Sequence, residues 1–162
     1  MSEKRSRATR VAVEGLERRE TPSTHASAAL PAAKVVDLRG TGAALVTAST
    51  PVVNGQDVST RLAGKTRALG SFSGQLDVTY DLNLSRGVGT GVITLADGDQ
   101  IYLNLNAVSR SPVSPRGLPG TIHFTVKDGT GAFAGATGHG NLNGRVNILY
   151  PYKFRLDGRV RE

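Results

Sequence analysis

Residues 128–144 read DGTGAFAGATGHGNLNG, with glycine at 129, 131, 135, 138, 140 and 144. Glycines this dense serve one of two ends: a loop whose amides cradle a phosphate, or a strand that must bend and let another wall come close. A phosphate loop works because it leads into a helix whose first amides point at the anion. No helical pattern follows here. After Gly138 the chain alternates His139, Asn141, Asn143, Arg145 and Asn147 against Gly140, Leu142, Gly144, Val146 and Ile148. That is a strand with one polar face and one small or apolar face. The stretch therefore reads as barrel wall, its glycines allowing the bulges and coiling by which an antiparallel sheet closes on itself.

The same period of two runs outward from this segment. Leu76, Val78, Tyr80, Leu82 and Leu84 share a face opposite Asp77, Thr79, Asp81 and Asn83, and Ile101, Leu103, Leu105 and Ala107 repeat the pattern opposite Tyr102, Asn104 and Asn106. Ile122, Phe124 and Val126 alternate with Thr121, His123 and Thr125, and Phe154, Leu156, Gly158 and Val160 with Lys153, Arg155, Asp157 and Arg159. Eight strands are predicted, over 35–46, 60–72, 75–84, 88–95, 100–109, 120–127, 132–148 and 152–161. The short links favour antiparallel neighbours, most clearly in VGTGVITL-ADGD-QIYLNLNAV, where Asp97-Gly98 suits a tight turn. SRSPVSPRGLPG at 109–120 carries three prolines and reads as a surface loop. The expected fold is all-β, an antiparallel eight-stranded barrel over residues 35–162, with a β-sandwich as the alternative.

Composition agrees with one domain of this kind. The 162-residue chain has 20 glycines, four Phe, four Tyr and no Trp or Cys, so its core is built from aliphatic and small side chains. Without cysteine there is no disulfide framework, thiolate nucleophile or cysteine-ligated zinc. The net charge of +7 raises the question of nucleic acid, but Lys4, Arg5, Arg7, Arg10, Arg18 and Arg19 lie interleaved with Glu3, Glu14, Glu17 and Glu20, and the other cations are spread singly. That distribution suits a solvated basic surface better than specific nucleic-acid recognition, and leaves weak polyanion binding as a lesser alternative.

Residues 1–34 form a separate region, expected to be a disordered tail: 1–20 are highly charged, and TPSTHASAALPAAK (21–34) is an aperiodic linker. No run of apolar residues reaches signal-peptide or membrane-spanning length. VEGLERRETP (13–22) resembles the E-x-LE-x-R-x-x-P signature near the N-terminus of planctomycete-type surface and secreted proteins, with Glu14, Leu16, Glu17, Arg19 and Pro22 at the matching positions. The resemblance implies a sorting or processing role for the tail and a barrel that acts outside the cytoplasm.

DGTGAFAGATGHGNLNG is itself similar to the GGTGRFxGATGxGxxxG stretch of small barrels related in fold to the allene oxide cyclase and dirigent families. KTRALGSFSG (65–74) and VITLADGDQIYL (92–103) resemble two further pieces of that pattern, in the same order. Asp128 and Ala132 stand where Gly and Arg are more usual, so no role of that arginine carries over. The resemblance implies a barrel whose cavity takes a small hydrophobic ligand, with cyclase- or dirigent-like chemistry as the catalytic possibility. The functional residues of neither family map onto this chain.

The residues themselves offer little chemistry. Asp97 and Asp99 in ADGD supply fewer oxygens than a calcium loop needs and read as turn residues. His25, His123 and His139 have no metal-ligand spacing, although His123 and His139 would meet if their strands paired in the right register. There is no G-x-S-x-G, and Tyr80, in phase with aliphatic residues, reads as core. No catalytic residue, metal site or cofactor is assigned. If the polar rows faced inward, Asp81, Tyr102, Asn104, His123 and His139 would line a wet ligand cavity, and the apolar rows would be covered by a homo-oligomer. If the apolar rows face inward the lumen is filled and function moves to the outer face or loops. The second arrangement is favoured, and with it a noncatalytic secreted or surface-associated binding or structural module whose partner is a surface component. A barrel-cavity enzyme or binder of a small hydrophobic ligand is the alternative.

Overall fold

The computed structural model describes residues 33–81, 83–109, 118–146 and 149–162. The VEGLERRETP signature, His25, Leu82, most of the proline-bearing loop and Ile148 lie outside them.

Nine strands follow in chain order: β1 (Val35–Asp37), β2 (Gly40–Val52), β3 (Gly55–Thr66), β4 (Gly70–Asp81), β5 (Arg86–Leu95), β6 (Gln100–Ser109), β7 (Leu118–Gly129), β8 (Thr137–Val146) and β9 (Tyr152–Arg161). Every pairing is antiparallel, each strand from β2 to β9 pairs with the next, and β9 also pairs with β2. The sheet closes, which excludes the sandwich. β1 continues the line of β2 along the same edge of β9, where Leu38 N–H donates to Gly158 O at 2.8 Å across the interruption. The barrel thus has eight staves, the first of them broken in two.

The apolar rows point inward. Leu76, Val78, Ile101, Leu103, Leu105, Ile122, Phe124 and Val126 are all buried, and Tyr80 is packed against the same core. Closure at eight strands leaves an interior just wide enough for side chains, and the packing shows how the glycines make it fit. Inward-facing Gly87, Gly89 and Gly91 of β5 lie between Leu76, Val78 and Tyr80 of β4 and Leu103, Leu105 and Ala107 of β6. Large rows alternate with empty ones, so the walls interdigitate.

The aromatic rings use the same device. Phe124 stands opposite Gly140, which stands opposite Gly158, and a methyl group built on Gly158 would lie 2.7 Å from the Phe124 ring edge. Phe154 likewise covers Gly42 and Gly144, and its ring centroid is 6.3 Å from that of Phe72, at a tilt of 55°. Buried aromatic rings of this kind contribute the largest apolar area per residue in a core otherwise made of aliphatics.

Four strand boundaries differ from the sequence reading. The expected strand 60–72 is two, folded at 67–69, where the buried Thr66 hydroxyl accepts the Leu69 N–H at 2.9 Å and Gly70 adopts a φ of +72°. The expected strand 75–84 ends at Asp81, and Leu84 is 66 % exposed in the turn that follows. Residues 47–59, left unassigned by periodicity, complete β2 and begin β3 around a hairpin at Val53-Asn54, with a bulge between Val46 and Ala48. The expected strand 132–148 begins only at Thr137, after a single 3-10 turn over Gly131–Phe133.

Candidate functional site

The glycine-rich loop between β7 and β8 does cradle anions, and they are its own. Asp128 Oδ1 accepts the Gly129 and Gly135 N–H groups at 2.7 and 2.9 Å, and Asp99 Oδ2, from the β5–β6 turn, accepts the Ala132 N–H at 2.9 Å. Those backbone hydrogen bonds, Gly135 first, hold the Asp128 carboxyl below the usual carboxylate range. Gln100 N–H donates to Thr130 Oγ1 at 2.8 Å and Thr130 N–H returns to Gln100 O at 2.9 Å. Gly131, at φ +55°, leaves no room for a side chain because the Asp99 carboxylate lies where its Cβ would be. ADGDQ and GTGAFAG are therefore two halves of one lock that seats Phe133 and Ala136 in the end of the barrel. With three of the loop amides committed to carboxylates, the motif is structural, and Asp97, whose Oδ1 accepts the Asp99 N–H at 3.0 Å, is the turn residue expected of it.

The opposite end carries the polar part of the interior. Gln56 Nε2 donates to Ser49 Oγ at 2.5 Å, and Tyr80, cross-strand from Gln56, sits near Tyr152. Burial, with the neighbouring Tyr152 adding to it, pushes the Tyr80 phenol up to about 12. Tyr152 is raised by burial too, opposed by a side-chain hydrogen bond with Thr60. The space between this layer and the core, bordered by Leu62, Leu76, Leu142, Tyr152 and Phe154, is about 20 Å³. That is room for one water and no organic ligand.

A much larger space lies on the outside. A groove of about 1100 Å³ crosses the outer face from Pro151 and β2 to β7. Its floor is a single rung of cross-strand neighbours, Leu45, Arg61, Gln75, Val92, Tyr102 and Asp128. Short side chains flank it on one side, Ala43, Ala63 and Ser73, and Asp77, Thr90 and Asn104 form the rung on the other. A bulge between Tyr102 and Leu103 opposite β7 sets Lys127 and Asp128 side by side at its end.

The side chains in the groove are partly fixed. Tyr102 donates its hydroxyl hydrogen to Gln100 Oε1 at 2.9 Å, which holds the half-buried ring in one orientation. Asp77 Oδ1 accepts from Ser59 Oγ at 2.6 Å, and its Oδ2 accepts from Gln75 Nε2 at 3.1 Å. Neither Arg61 nor Lys127 forms an ion pair with a described residue.

The five residues singled out in the sequence are not brought together. Tyr102 and Asn104 lie in the outer groove. Asp81 ends β4, where its Oδ1 accepts the Asn83 and Leu84 N–H groups at 2.9 and 3.1 Å and so caps the β4–β5 turn. His123 and His139 are exposed on β7 and β8 but two residues out of register, His123 opposite Asn141 and His139 opposite Thr125. His123 Nδ1 is 2.6 Å from Asn141 Oδ1. Among the described residues no group of three His, Cys, Asp or Glu side chains is placed to hold a metal ion, and no helix is long and apolar enough to cross a membrane. The groove's Arg61, Gln75, Asp77 and Lys127 were missed because each is an ordinary polar residue on the outer face of its strand. The signal is the register that aligns them. Comparison of the chain with protein families, characterised proteins and solved structures finds no match.

Proposed function

We propose that this barrel is a noncatalytic binding module that works outside the cytoplasm, at or near a cell surface, and that it engages its partner through the outer groove. The observation that carries this reading is the contrast in free space: about 20 Å³ inside the polar end of the lumen and about 1100 Å³ on the outer face. A side chain acting in catalysis needs a substrate held within hydrogen-bond reach in a water-poor site. The groove is open, and its two carboxylates are engaged, Asp77 by Ser59 and Gln75 and Asp128 by the Gly129 and Gly135 amides. The extracytoplasmic part of the proposal rests on the VEGLERRETP resemblance.

One observation favours a second reading, a lumen that binds a small hydrophobic ligand in the manner of the cyclase and dirigent barrels that the glycine-rich motif resembles. Tyr80 and Tyr152 are half-buried, polar-tipped rings packed against the core at one end of the barrel, as a ligand-orienting pair would be. Titration of the purified protein with a fluorescent fatty acid separates the two. The outer-groove reading expects no saturable binding, and stoichiometric binding abolished by Tyr80→Phe would replace it with the lumen reading. Cell fractionation of the native source checks location: full-length protein confined to the cytosol would end the extracytoplasmic part of the proposal.

A further inference from the structure

We infer that the outer groove is a subsite for a neutral, linear polysaccharide segment, an inference that rests on the binding-module reading and gives its partner a chemical class. The first ground is charge. The chain as a whole carries +7, yet the groove holds two cations, Arg61 and Lys127, and two carboxylates, Asp77 and Asp128, so its own balance is zero. A surface meant for nucleic acid, an anionic lipid headgroup or an acidic glycan would concentrate the excess cations there, because neutralised phosphates or carboxylates supply most of such affinity. Here carboxylates stand at the middle and at one end of the groove, where a polyanion would be repelled.

The second ground is the kind of contact available. A pyranose presents equatorial hydroxyls, each both donor and acceptor, around a ring whose C–H face is apolar. The groove offers the matching set: Arg61 and Lys127 as donors that form no ion pair with a described residue, the Asn104 amide as donor and acceptor, Asp77 as acceptor, and the Tyr102 ring as a platform. Tyr102 is fixed by its hydrogen bond to Gln100, so little ordering is lost when a sugar stacks on it. Val92, the cross-strand neighbour of Tyr102, extends the platform by one apolar side chain, and Leu45 adds another at the far end of the rung, beyond Gln75 and Arg61.

The third ground is shape. The floor rung follows the curved wall from β2 to β7, five of the eight strand spacings of the closed sheet, an arc of about 24 Å at about 4.8 Å each. A groove that follows such an arc and is open at its sides suits a short polymer segment flexible enough to lie along the wall. A compact metabolite would leave most of it wet.

The test uses the full chain in affinity electrophoresis through gels containing a neutral polysaccharide with vicinal diols (dextran or glucomannan) or heparin, paired with sedimentation onto isolated cell envelopes before and after periodate oxidation, which cleaves those diols. The expected result is retardation by at least one neutral polymer, unchanged at high salt. Envelope binding should be lost after periodate, and Tyr102→Ala should weaken affinity about tenfold or more. Asn104→Ala, a smaller change on the same face, provides a second variant should Tyr102→Ala lose its fold. Salt-sensitive retardation by heparin alone overturns the inference in favour of a polyanion. Envelope binding that needs Tyr102 yet survives periodate also overturns it, and leaves the binding-module reading standing with a protein partner. No binding to envelopes or to any polymer removes both.

Discussion

The inner and outer faces of the same strands solve different problems. Inside, every position is set by its neighbours: Phe124 fits because Gly140 and Gly158 lie beneath it, and Leu105 fits because Gly89 is empty. Outside, the ladders are polar pairs that tolerate exchange, such as Thr79 with Asp57 at 2.6 Å and Thr121 with Asn143 at 2.9 Å, and they leave a groove instead of filling one. The inner face is a jigsaw and the outer face is an inventory of chemical groups. Stability should therefore reside almost wholly in the first, and recognition in the second.

The largest effect that tests this division is removal of an inner ring. Phe124→Ala is expected to cost about 3–5 kcal/mol in chemical denaturation, because it loses the buried ring and leaves a cavity between two glycine rows that cannot collapse. Gly158→Ala adds a methyl group on the same contact and should cost about 1–3 kcal/mol by overpacking. Combining Gly158→Ala with Phe124→Leu should cost less than the sum of the two singles, since the smaller side chain vacates the space the methyl enters. Strict additivity would show that ring and glycine do not share one packing site.

The polar end of the lumen is the next most sensitive place, and pH reads it. Tyr80 has a folded pKa near 12 against an ordinary value of 10, so the folded state holds this proton more tightly than the unfolded chain does. The contribution is complete below pH 10 and is lost as pH rises through the window from 10 to 12, an effect of about 3 kcal/mol for a shift of about two units. Denaturant midpoints measured from pH 8 to 12 should fall across that window. Tyr80→Phe should flatten most of the fall, leaving a smaller slope from Tyr152. A Tyr80 that titrates near 10 by ultraviolet absorbance would mean that water reaches this end of the barrel, and would favour the lumen over the groove.

The lock between ADGDQ and GTGAFAG predicts a smaller loss. Gly131→Ala forces a left-handed backbone on a residue with a Cβ, at about 1–2 kcal/mol, and pushes on the Asp99 carboxylate. Asp128 adds a pH signature of opposite sign to that of Tyr80. Its folded pKa is depressed, so its contribution is present above the unfolded carboxylate value and is lost as pH falls through the folded one. Asp128→Asn should remove that acid-side slope while leaving the alkaline one intact.

The division also explains what could be read from the sequence. Closure, strand count and the inward row were legible because burial imposes a strict period of two on Leu76, Val78, Ile101, Leu103, Ile122 and Phe124. The turn at 67–69 was not, because Leu62, Gly64 and Thr66 before it and Gly70, Phe72 and Gly74 after it keep the same parity, so the alternation runs through the reversal unbroken. The β2–β3 hairpin was hidden for the converse reason: the bulge at Thr47 shifts the phase, and the inward Ser49 and Gln56 are polar. The groove was invisible. Only the register places Leu45, Arg61, Gln75, Val92, Tyr102 and Asp128, up to 83 positions apart in numbering from 45 to 128, on one rung, and nothing in their individual identities distinguishes them from other outward residues.

The smallest expected effect is consequently the most discriminating. Asn104→Ala and Arg61→Ala remove exposed side chains that carry groove chemistry but no buried area, so each should change unfolding free energy by no more than about 0.5 kcal/mol. Thermal melts of both variants should overlay that of the parent, while their retardation in polysaccharide gels is reduced. The two measurements must separate for the comparison of faces to hold, since a residue kept for packing would move both together. Gln75→Ala draws the line more finely, because its amide also donates to Asp77. If the groove's geometry depends on that ladder, Gln75→Ala should weaken binding as much as loss of Asn104 without touching the ligand's best platform, Tyr102. A melt lowered by several degrees with binding unchanged would instead make the outer ladder part of the structural frame.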